Sequence, residues 1–274
     1  MLTNELTPIA YQAVNRAFSK QSASYDLNDQ QNIVLQDMRL QVYEHVSKFL
    51  RPQNRILELN AGTGIDALHF VQQGYTVHAT DLSDGMVEQI KNKIDKHAVQ
   101  NQMTCQQISY DQLHKLDGMK FDYVFSNFGG LNCIDDLTKI TKPLHTLLNP
   151  GAYVTWVIMP PVYLWELLLI VKGNVRQAFR RFNKNGIIAH VEGEYFKTYY
   201  HSLADIKRAF DSKFEFVAAE GLCTLSPPPS RNDFPVKHSK LYQSLRKLDS
   251  MVRAHYPFNC CADHIIVTFK LLSS

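Results

Sequence analysis

Three carboxylates surround a glycine-rich segment near residue 60, and their spacing is typical of a nucleotide-binding unit. Glu58 lies at the end of a short apolar run, Asp66 follows the glycines, and Asp81 ends a second apolar run. Gly62 and Gly64 let the backbone approach a ligand closely and adopt positive φ. An acid roughly 20 residues after such glycines can accept hydrogen bonds from the hydroxyls of a ribose. The segment therefore predicts a strand, a turn, a helix and a second strand that together bind a nucleotide.

Two classes of ligand fit this unit. Gly62, Gly64 and Ala67 satisfy the dinucleotide pattern G-x-G-x-x-A, so a nicotinamide- or flavin-dependent enzyme is one interpretation. Against it, a pyrophosphate at the start of the helix would meet the negative charge of Glu58 and Asp66. S-adenosylmethionine carries a cationic ammonium and a sulfonium, and it also has a ribose. The charges therefore favour S-adenosylmethionine as the cofactor.

The residues around these acids resemble a known family. Segments 58–64 and 80–86 are similar to motifs I and II of class I (Rossmann-like) S-adenosylmethionine-dependent methyltransferases. The first glycine of the usual E/D-x-G-x-G-x-G pattern is Asn60 here, and asparagine is the next-best residue for a left-handed backbone. Segment 126–132 resembles a subgroup of bacterial small-molecule enzymes of unassigned substrate. The resemblance covers residues 56–159 well and the remainder poorly.

This resemblance implies an α/β fold, with a Rossmann-like, mostly parallel seven-stranded sheet and helices on both faces. We expect one methyltransferase domain over residues 1–274, made of an N-terminal helical cap (1–50), a cofactor-binding core (51–159), a helical lid insertion after strand five (160–200) and the C-terminal part of the sheet (201–274). The polar segment 18–26 predicts a break between two helices of the cap. Segment 264–271 is expected to be an antiparallel strand beside the sixth.

The resemblance also implies which residues contact the cofactor. Glu58 and Asp66 are expected to hold the methionyl end, and Asp81 is expected to hold the ribose. Tyr25 either lies near the sulfonium, where its ring would attract positive charge, or packs the N-terminal helix onto the domain. The full set of expected cofactor contacts is Tyr25, Glu58, Asn60, Ala61, Gly62, Gly64, Asp66, Asp81, Leu82, Met86, Ser109, Tyr110, Asn127 and Phe128.

No residue pattern marks a catalytic acid or base. Asn127, Phe128 and Asn132 follow the fourth strand, whose carboxyl end faces the methyl group in this fold, and they are candidates for the reaction chamber. Tyr199 and His201 could orient a hydroxyl or take its proton, although such an aromatic cluster is more often core. In-line SN2 methyl transfer mostly requires alignment and exclusion of water. A general base matters only for a weakly acidic acceptor.

Residues 160 to about 194 depart from the compact fold. A strongly apolar run is followed by five basic residues, and no Asp or Glu occurs from residue 167 through 191. We interpret this insertion as a lid over a hydrophobic or anionic small molecule, because loops above the sheet carry function in this architecture. Contact with lipid headgroups is the less favoured interpretation. A solvated cationic helix face is the remaining alternative.

Composition limits the remaining classes. The net charge of +3 is too small to imply a nucleic-acid partner, and the loop after the fourth strand is not the N-P-P-Y of amino-methylating DNA and protein enzymes. No apolar run is long enough to span a bilayer, and Met1–Glu5 lack the apolar core of a signal peptide. Five cysteines without a C-x-x-C pair predict reduced thiols in a cytoplasm and no metal site. We expect a cytoplasmic methyltransferase; a nicotinamide-dependent oxidoreductase or a non-catalytic S-adenosylmethionine-binding protein is the alternative.

Overall fold

The computed structural model describes residues 8–272, so the prediction about Met1–Glu5 lies outside the described residues. Its strands are β1 (Arg55–Leu59), β2 (Thr76–Asp81), β3 (Met103–Gln107), β4 (Phe121–Ser126), β5 (Leu148–Ile158), β6 (Ile187–Val191), β7 (Glu194–Thr198), β8 (Phe214–Leu222) and β9 (His264–Leu271). Seven of them form one sheet in the order β3-β2-β1-β4-β5-β9-β8, and β6 pairs with β7. Strands β1 to β5 are parallel, and β9 is antiparallel to both of its neighbours. The predicted sheet and its final antiparallel strand are confirmed.

Helices cover both faces of this sheet. They are α1 (Pro8–Gln31), α2 (Ile33–Ser47), α3 (Ile65–Gln72), α4 (Asp84–His97), α5 (Thr138–Leu147), α6 (Leu164–Leu167), α7 (Val175–Ala178), α8 (Leu203–Ala209), α9 (Phe234–Lys237) and α10 (Ser239–Val252). Short 3₁₀ segments lie at Tyr110–Leu116, Gly130–Cys133, Leu168–Lys172, Arg180–Phe182 and Pro229–Arg231. Side chains of a strand alternate between faces, so Leu57 and Val124 join one buried cluster with α5 and α8, while Ile56 and Phe125 join another with α2 and α3.

The α2 helix is fixed to the sheet by a buried ionic group on β8. Glu220 Oε1 lies 2.8 Å from both His45 Nδ1 and Lys48 Nζ. Burial would raise the pKa of the Glu220 carboxyl, but these basic partners lower it to about 2. The carboxylate is therefore the stable form of Glu220 in the folded protein at neutral pH.

The predicted break over residues 18–26 is wrong, because α1 continues through this segment. The helix ends instead before Asn32, whose side chain caps α2 by accepting from Val34 N and Leu35 N. Two of the three serines in segment 18–26, Ser19 and Ser22, lie against the start of α4. Ser19 Oγ lies 2.8 Å from Ser83 Oγ at the start of α4, and a side chain at Gly85 would come within 2.8 Å of the Ser19 backbone. Polar residues therefore mark a close contact between two helices here.

The insertion after β5 is only partly helical, which corrects the prediction of a helical lid. Its second half is the β6–β7 hairpin, which turns at Glu192 and Gly193, both with positive φ. Two such residues give the turn that matches the twist of a hairpin. The hairpin packs on α1, where Glu194 forms ion pairs of 3.0 Å with Arg16 and 2.8 Å with Lys20. The cover of the sheet edge is thus built from α1 and a hairpin together.

Candidate cofactor and substrate site

A cavity of about 360 Å³ lies at the carboxyl ends of β1, β2 and β4, beneath α1 and the hairpin. All of the expected cofactor contacts except Glu58 and Gly64 line this cavity: Tyr25, Asn60, Ala61, Gly62, Asp66, Asp81, Leu82, Met86, Ser109, Tyr110, Asn127 and Phe128. Tyr199 also lies in its wall, whereas His201 and Asn132 do not. Residues separated by more than 100 positions in sequence therefore meet at one edge of the sheet.

Asp81 at the end of β2 is fixed by the glycine turn. Its Oδ2 accepts from Gly62 N at 2.8 Å, and its Oδ1 accepts from Ser83 N at 2.8 Å. Gly62 adopts φ +56, in the left-handed region that glycine favours. Burial raises the pKa of Asp81 to about 6, although both backbone donors act in the opposite direction. Asp81 is partly buried, and each of its oxygens retains a lone pair for a ligand hydroxyl.

Asn60 takes the left-handed conformation that the sequence predicted for it, with φ +46. Its side chain joins the ends of two strands and the 3₁₀ segment after β3. Asn60 Oδ1 accepts from Ser126 Oγ at 2.6 Å and from Tyr110 Oη at 3.2 Å, and its Nδ2 donates to Asn127 O at 3.0 Å. A side chain at Gly130 would come within 2.4 Å of Asn60, so the two positions fit together only because one of them is glycine.

Asp66, in the first turn of α3, belongs to a buried ionic network that the sequence did not indicate. Arg39 of α2 is 5% exposed, forms an ion pair with Asp66 and lies 2.6 Å from Asp29. Asp66 also accepts from Tyr43 Oη at 2.6 Å and from Asn127 Nδ2 at 3.0 Å. Burial would raise the pKa of Asp66, but Arg39 and these donors lower it. The start of α3 therefore carries a carboxylate whose charge is balanced by a guanidinium.

Glu58 lies behind the cavity wall, 1% exposed, and its Oε2 has no hydrogen-bond partner among the described residues. Burial, followed by the nearby Asp66 carboxylate, raises the pKa of Glu58 well above its usual range. Gly64 is the N-cap residue of α3 with φ +81, and a side chain there would meet Ile90 at 3.1 Å. The expected pair of carboxylates is therefore changed: Glu58 lies behind the cavity wall, where burial favours its protonated form, and Asp66 is paired with Arg39.

The residues considered for catalysis, Asn127, Tyr199 and His201, have different surroundings. Asn127 lines the cavity and is held by Asp66, while Tyr199 lines the cavity from the end of the hairpin. His201 is buried outside the wall, where its Nε2 donates to Ile134 O at 2.9 Å and burial lowers its pKa. Asn132 is fully buried and positions the chain by donating to Met159 O and Tyr199 O, so the structure does not place it in the reaction chamber.

The remaining wall of the cavity is largely apolar and was missed by the sequence reasoning. Tyr11, Val14 and Phe18 come from one face of α1, and the hairpin adds Val191 and Phe196. The rings of Phe18 and Phe196 lie 5.7 Å apart. A signal was available for the helix, since residues 11, 14, 18 and 25 recur at helical spacing. The wall that α1 and the hairpin form therefore suits a hydrophobic guest.

The strand order, with an antiparallel strand beside β5, and the cavity at the carboxyl ends of β1, β2 and β4 define the class I, Rossmann-like methyltransferase fold. Comparison with known proteins agrees: residues 56–151 match the methyltransferase domain family. Segment 56–151 therefore matches a methyltransferase domain, and the resemblance seen in the motifs is confirmed.

Individual relatives are distant. A demethylmenaquinone methyltransferase of Leptospira interrogans is 25% identical over 143 residues, and the match covers 51% of this chain and 57% of that protein. A structure of an S-adenosylmethionine-dependent methyltransferase from Methanosarcina mazei has a TM-score of 0.56 and 14% identity, with 84% of this chain and 97% of that chain covered. Geranyl diphosphate C-methyltransferase from Streptomyces coelicolor A3(2), in complex with Mg²⁺, geranyl diphosphate and S-adenosyl-L-homocysteine, has a TM-score of 0.56 and 11% identity, with 87% and 82% covered. These two structures support the fold.

Proposed function

We propose that this protein binds S-adenosylmethionine and transfers its methyl group to a small hydrophobic molecule. The observation that carries the proposal is Asp81, which the glycine turn holds at the cavity edge with lone pairs free for a ribose. Met86, Ser109 and Tyr110 line the same part of the cavity, and they are proposed to surround the adenine. Asn127 and Asp66 are proposed to hold the methionyl end.

The bound cofactor would supply an electrophilic methyl group on a sulfonium. The chain's own residues would align the acceptor and exclude water. Asn127 is fixed by its bond to Asp66, and Tyr199 by the bond that Asn132 makes to the Tyr199 carbonyl. His201 is buried outside the cavity wall, and none of the described histidines lines the cavity to take a proton from an acceptor. This arrangement favours an acceptor that needs little help from a base.

The substrate side of the proposal depends on the apolar wall formed by Val14, Phe18, Val191 and Phe196. An apolar guest gains free energy by leaving water for this wall, whereas a charged guest would lose its hydration there. Lys197 lies at the edge of the same wall and could pair with an anionic group on an otherwise hydrophobic molecule. The names of two similar proteins mention demethylmenaquinone and geranyl diphosphate. Both of these molecules have a large apolar part.

A nicotinamide-dependent oxidoreductase is the weaker alternative. Its pyrophosphate would have to sit at the start of α3, where the Asp66 carboxylate already occupies the helix N-terminus with its own cation, Arg39. A non-catalytic cofactor-binding protein would have the same cofactor half of the cavity. The apolar wall favours a methyltransferase over such a protein, because a protein that only senses the cofactor does not need an apolar wall for a second molecule.

The first experiment compares thermal unfolding with S-adenosylhomocysteine and with NAD. A ligand that binds the folded state stabilises it by about 2.7 kcal/mol at a concentration of 100 Kd. We expect a rise in Tm with S-adenosylhomocysteine and none with NAD; the reverse result would favour the oxidoreductase. Transfer of a labelled methyl group from S-adenosylmethionine to a panel that includes demethylmenaquinone and geranyl diphosphate then tests catalysis. Cofactor binding without transfer to any hydrophobic acceptor would favour the non-catalytic alternative.

We also propose that the protein works in the cytoplasm. Its five cysteines are free thiols in the described structure, which suits a reducing compartment. Fractionation of cells that express the protein, with its thiols titrated in each fraction, tests this proposal. Recovery in a secreted fraction would contradict it.

A further inference from the structure

The first half of the insertion after β5 exposes large apolar side chains to solvent. Val171 is 87% exposed, Leu168 is 58% exposed and Val175 is 52% exposed. Phe179 and Phe182 are nearly half exposed and lie 5.6 Å apart, ring centre to ring centre. Scattered single apolar residues are normal on a surface, but a concentration within fifteen residues marks an interaction site.

The same stretch carries unbalanced positive charge. Of its five basic residues, Arg180 and Arg181 pair with Glu166. Lys172, Arg176 and Lys184 are exposed and form no ion pair within the described part of the chain. We call the exposed side chains of residues 168–184, apolar and basic together, the lid surface. It combines apolar groups with cations and contains no acid.

The lid surface is held on a fixed base. Arg181 is 5% exposed and donates to Glu166 Oε1 at 2.9 Å and to Asp263 Oδ1 at 2.9 Å. Trp165 Nε1 donates to Leu225 O at 3.1 Å, which ties α6 to the loop after β8. Because these bonds use the inward side of the segment, its apolar residues stay on the outside. The exposure is therefore built into the fold of the insertion.

We infer that the lid surface binds the face of a bilayer that contains anionic phospholipids. Surfaces that combine apolar side chains with cations bind in the headgroup region of a bilayer. There the apolar side chains leave water and the cations lie beside lipid phosphates. No helix in residues 8–272 is long and apolar enough to cross a membrane. A protein partner would need acidic groups at positions that match the three unpaired cations. An anionic bilayer presents negative phosphate groups over its whole surface, so no matching shape is required.

The position of the lid surface connects it with the cavity. The hairpin follows directly after residue 184, and it contributes Val191 and Phe196 to the apolar wall while Ile188 on its other side is 62% exposed. A bilayer against the lid surface would therefore lie beside the chain that forms the substrate end of the cavity. Membrane binding itself does not depend on the proposed methyl transfer, so the two can fail separately.

The test is co-sedimentation of the full chain with vesicles of phosphatidylcholine alone and with one quarter phosphatidylglycerol. We expect binding to the anionic vesicles that falls with added NaCl, and little binding to the neutral ones. A cation near an anionic surface strengthens binding about fivefold, so K172Q/R176Q/K184Q should weaken it about a hundredfold. The matched control K96Q/K240Q/K247Q removes three exposed lysines elsewhere and should bind like the wild type.

The apolar part of the lid surface is tested with V171S, and V236S is its control because Val236 is 73% exposed on α9. We expect V171S to weaken vesicle binding severalfold and V236S to leave it unchanged, with equal Tm for both. Equal binding of the wild type to both vesicle types would overturn the inference. So would a concentration-dependent dimer in gel filtration that V171S abolishes while vesicle binding persists, because the lid surface would then be an interface between two copies.

Discussion

Asp81 provides the sharpest test of the site, and the change is Asp81→Asn. A hydrogen bond to a charged group contributes about 1.5–3 kcal/mol, and a ribose offers two hydroxyls to the carboxylate. Asparagine keeps one acceptor oxygen of lower charge and presents a donor where the second acceptor was. We therefore expect a loss of about 2–4 kcal/mol, equivalent to roughly a 30- to 1,000-fold rise in Kd for S-adenosylhomocysteine.

The pH dependence sharpens this prediction. Burial places the pKa of Asp81 at about 6, so the binding-competent carboxylate is the major form at pH 7 and the minor form at pH 5. Because the affinity follows the carboxylate fraction, the Kd of the wild type should rise about tenfold from pH 7 to pH 5. The asparagine variant does not titrate, so its Kd should be nearly constant over this range.

Isothermal titration calorimetry with S-adenosylhomocysteine at pH 5, 6 and 7 measures both effects. Asp95→Asn, on the exposed side of α4, is the matched control and should bind like the wild type at each pH. Thermal unfolding of each unligated protein at each pH checks that affinity, and not folding, has changed. A Kd that Asp81→Asn leaves unaltered, or a wild-type Kd that is flat from pH 7 to pH 5, would refute the role of Asp81.

Three further predictions concern the scaffold of the site. Arg39→Leu would leave buried carboxylates without their cation and should lower the free energy of unfolding, measured in urea, by about 3–5 kcal/mol. The control Arg208→Leu, on the exposed face of α8, should change this free energy by less than about 0.5 kcal/mol. Equal effects of the two substitutions would contradict the buried network. Gly130→Ala should cost about 1–3 kcal/mol because the added methyl meets Asn60, and adding Asn60→Gly should recover part of the loss. Additive losses in that double-mutant cycle would argue against the contact. Glu220 has its pKa lowered to about 2 in the folded protein, so its stabilisation is complete above the ordinary glutamate pKa of about 4.3 and is lost as the pH falls toward 2. Glu220→Gln should flatten the measured stability curve in this window, and parallel curves for the two proteins would disprove the assignment.

Local signals in the sequence were sufficient to place the glycine turn and Asp81 beside each other. The apolar runs that become β1 and β2 end at a glycine turn and at an acid, and these short-range features determine where Gly62 and Asp81 lie. A parallel sheet then brings the strand ends together at one edge, and for this reason Asn127, which follows β4, lies in the cavity wall. The conformation of Asn60 followed from residue type alone, because few side chains tolerate positive φ.

The charges of the site were decided by tertiary structure. Nothing in the spacing of Asp66 shows that Arg39, on a helix 27 residues earlier, balances its charge. Nor does the sequence reveal that Glu58 is buried without a partner for one oxygen, since the number of neighbours around a strand residue depends on the packing of both faces. Ionisation depends on distance and burial, and both are properties of the assembled fold.

The sequence by itself determined the class of fold, the glycine turn and the basic, acid-free character of the insertion. Only the tertiary structure showed that α1 is continuous, that a hairpin closes the cavity with it, and that Val171 and its neighbours face outward. The reason is physical: turns and strand ends are specified by residues next to one another, whereas the walls of a cavity and the exposure of a surface depend on which distant segments pack together.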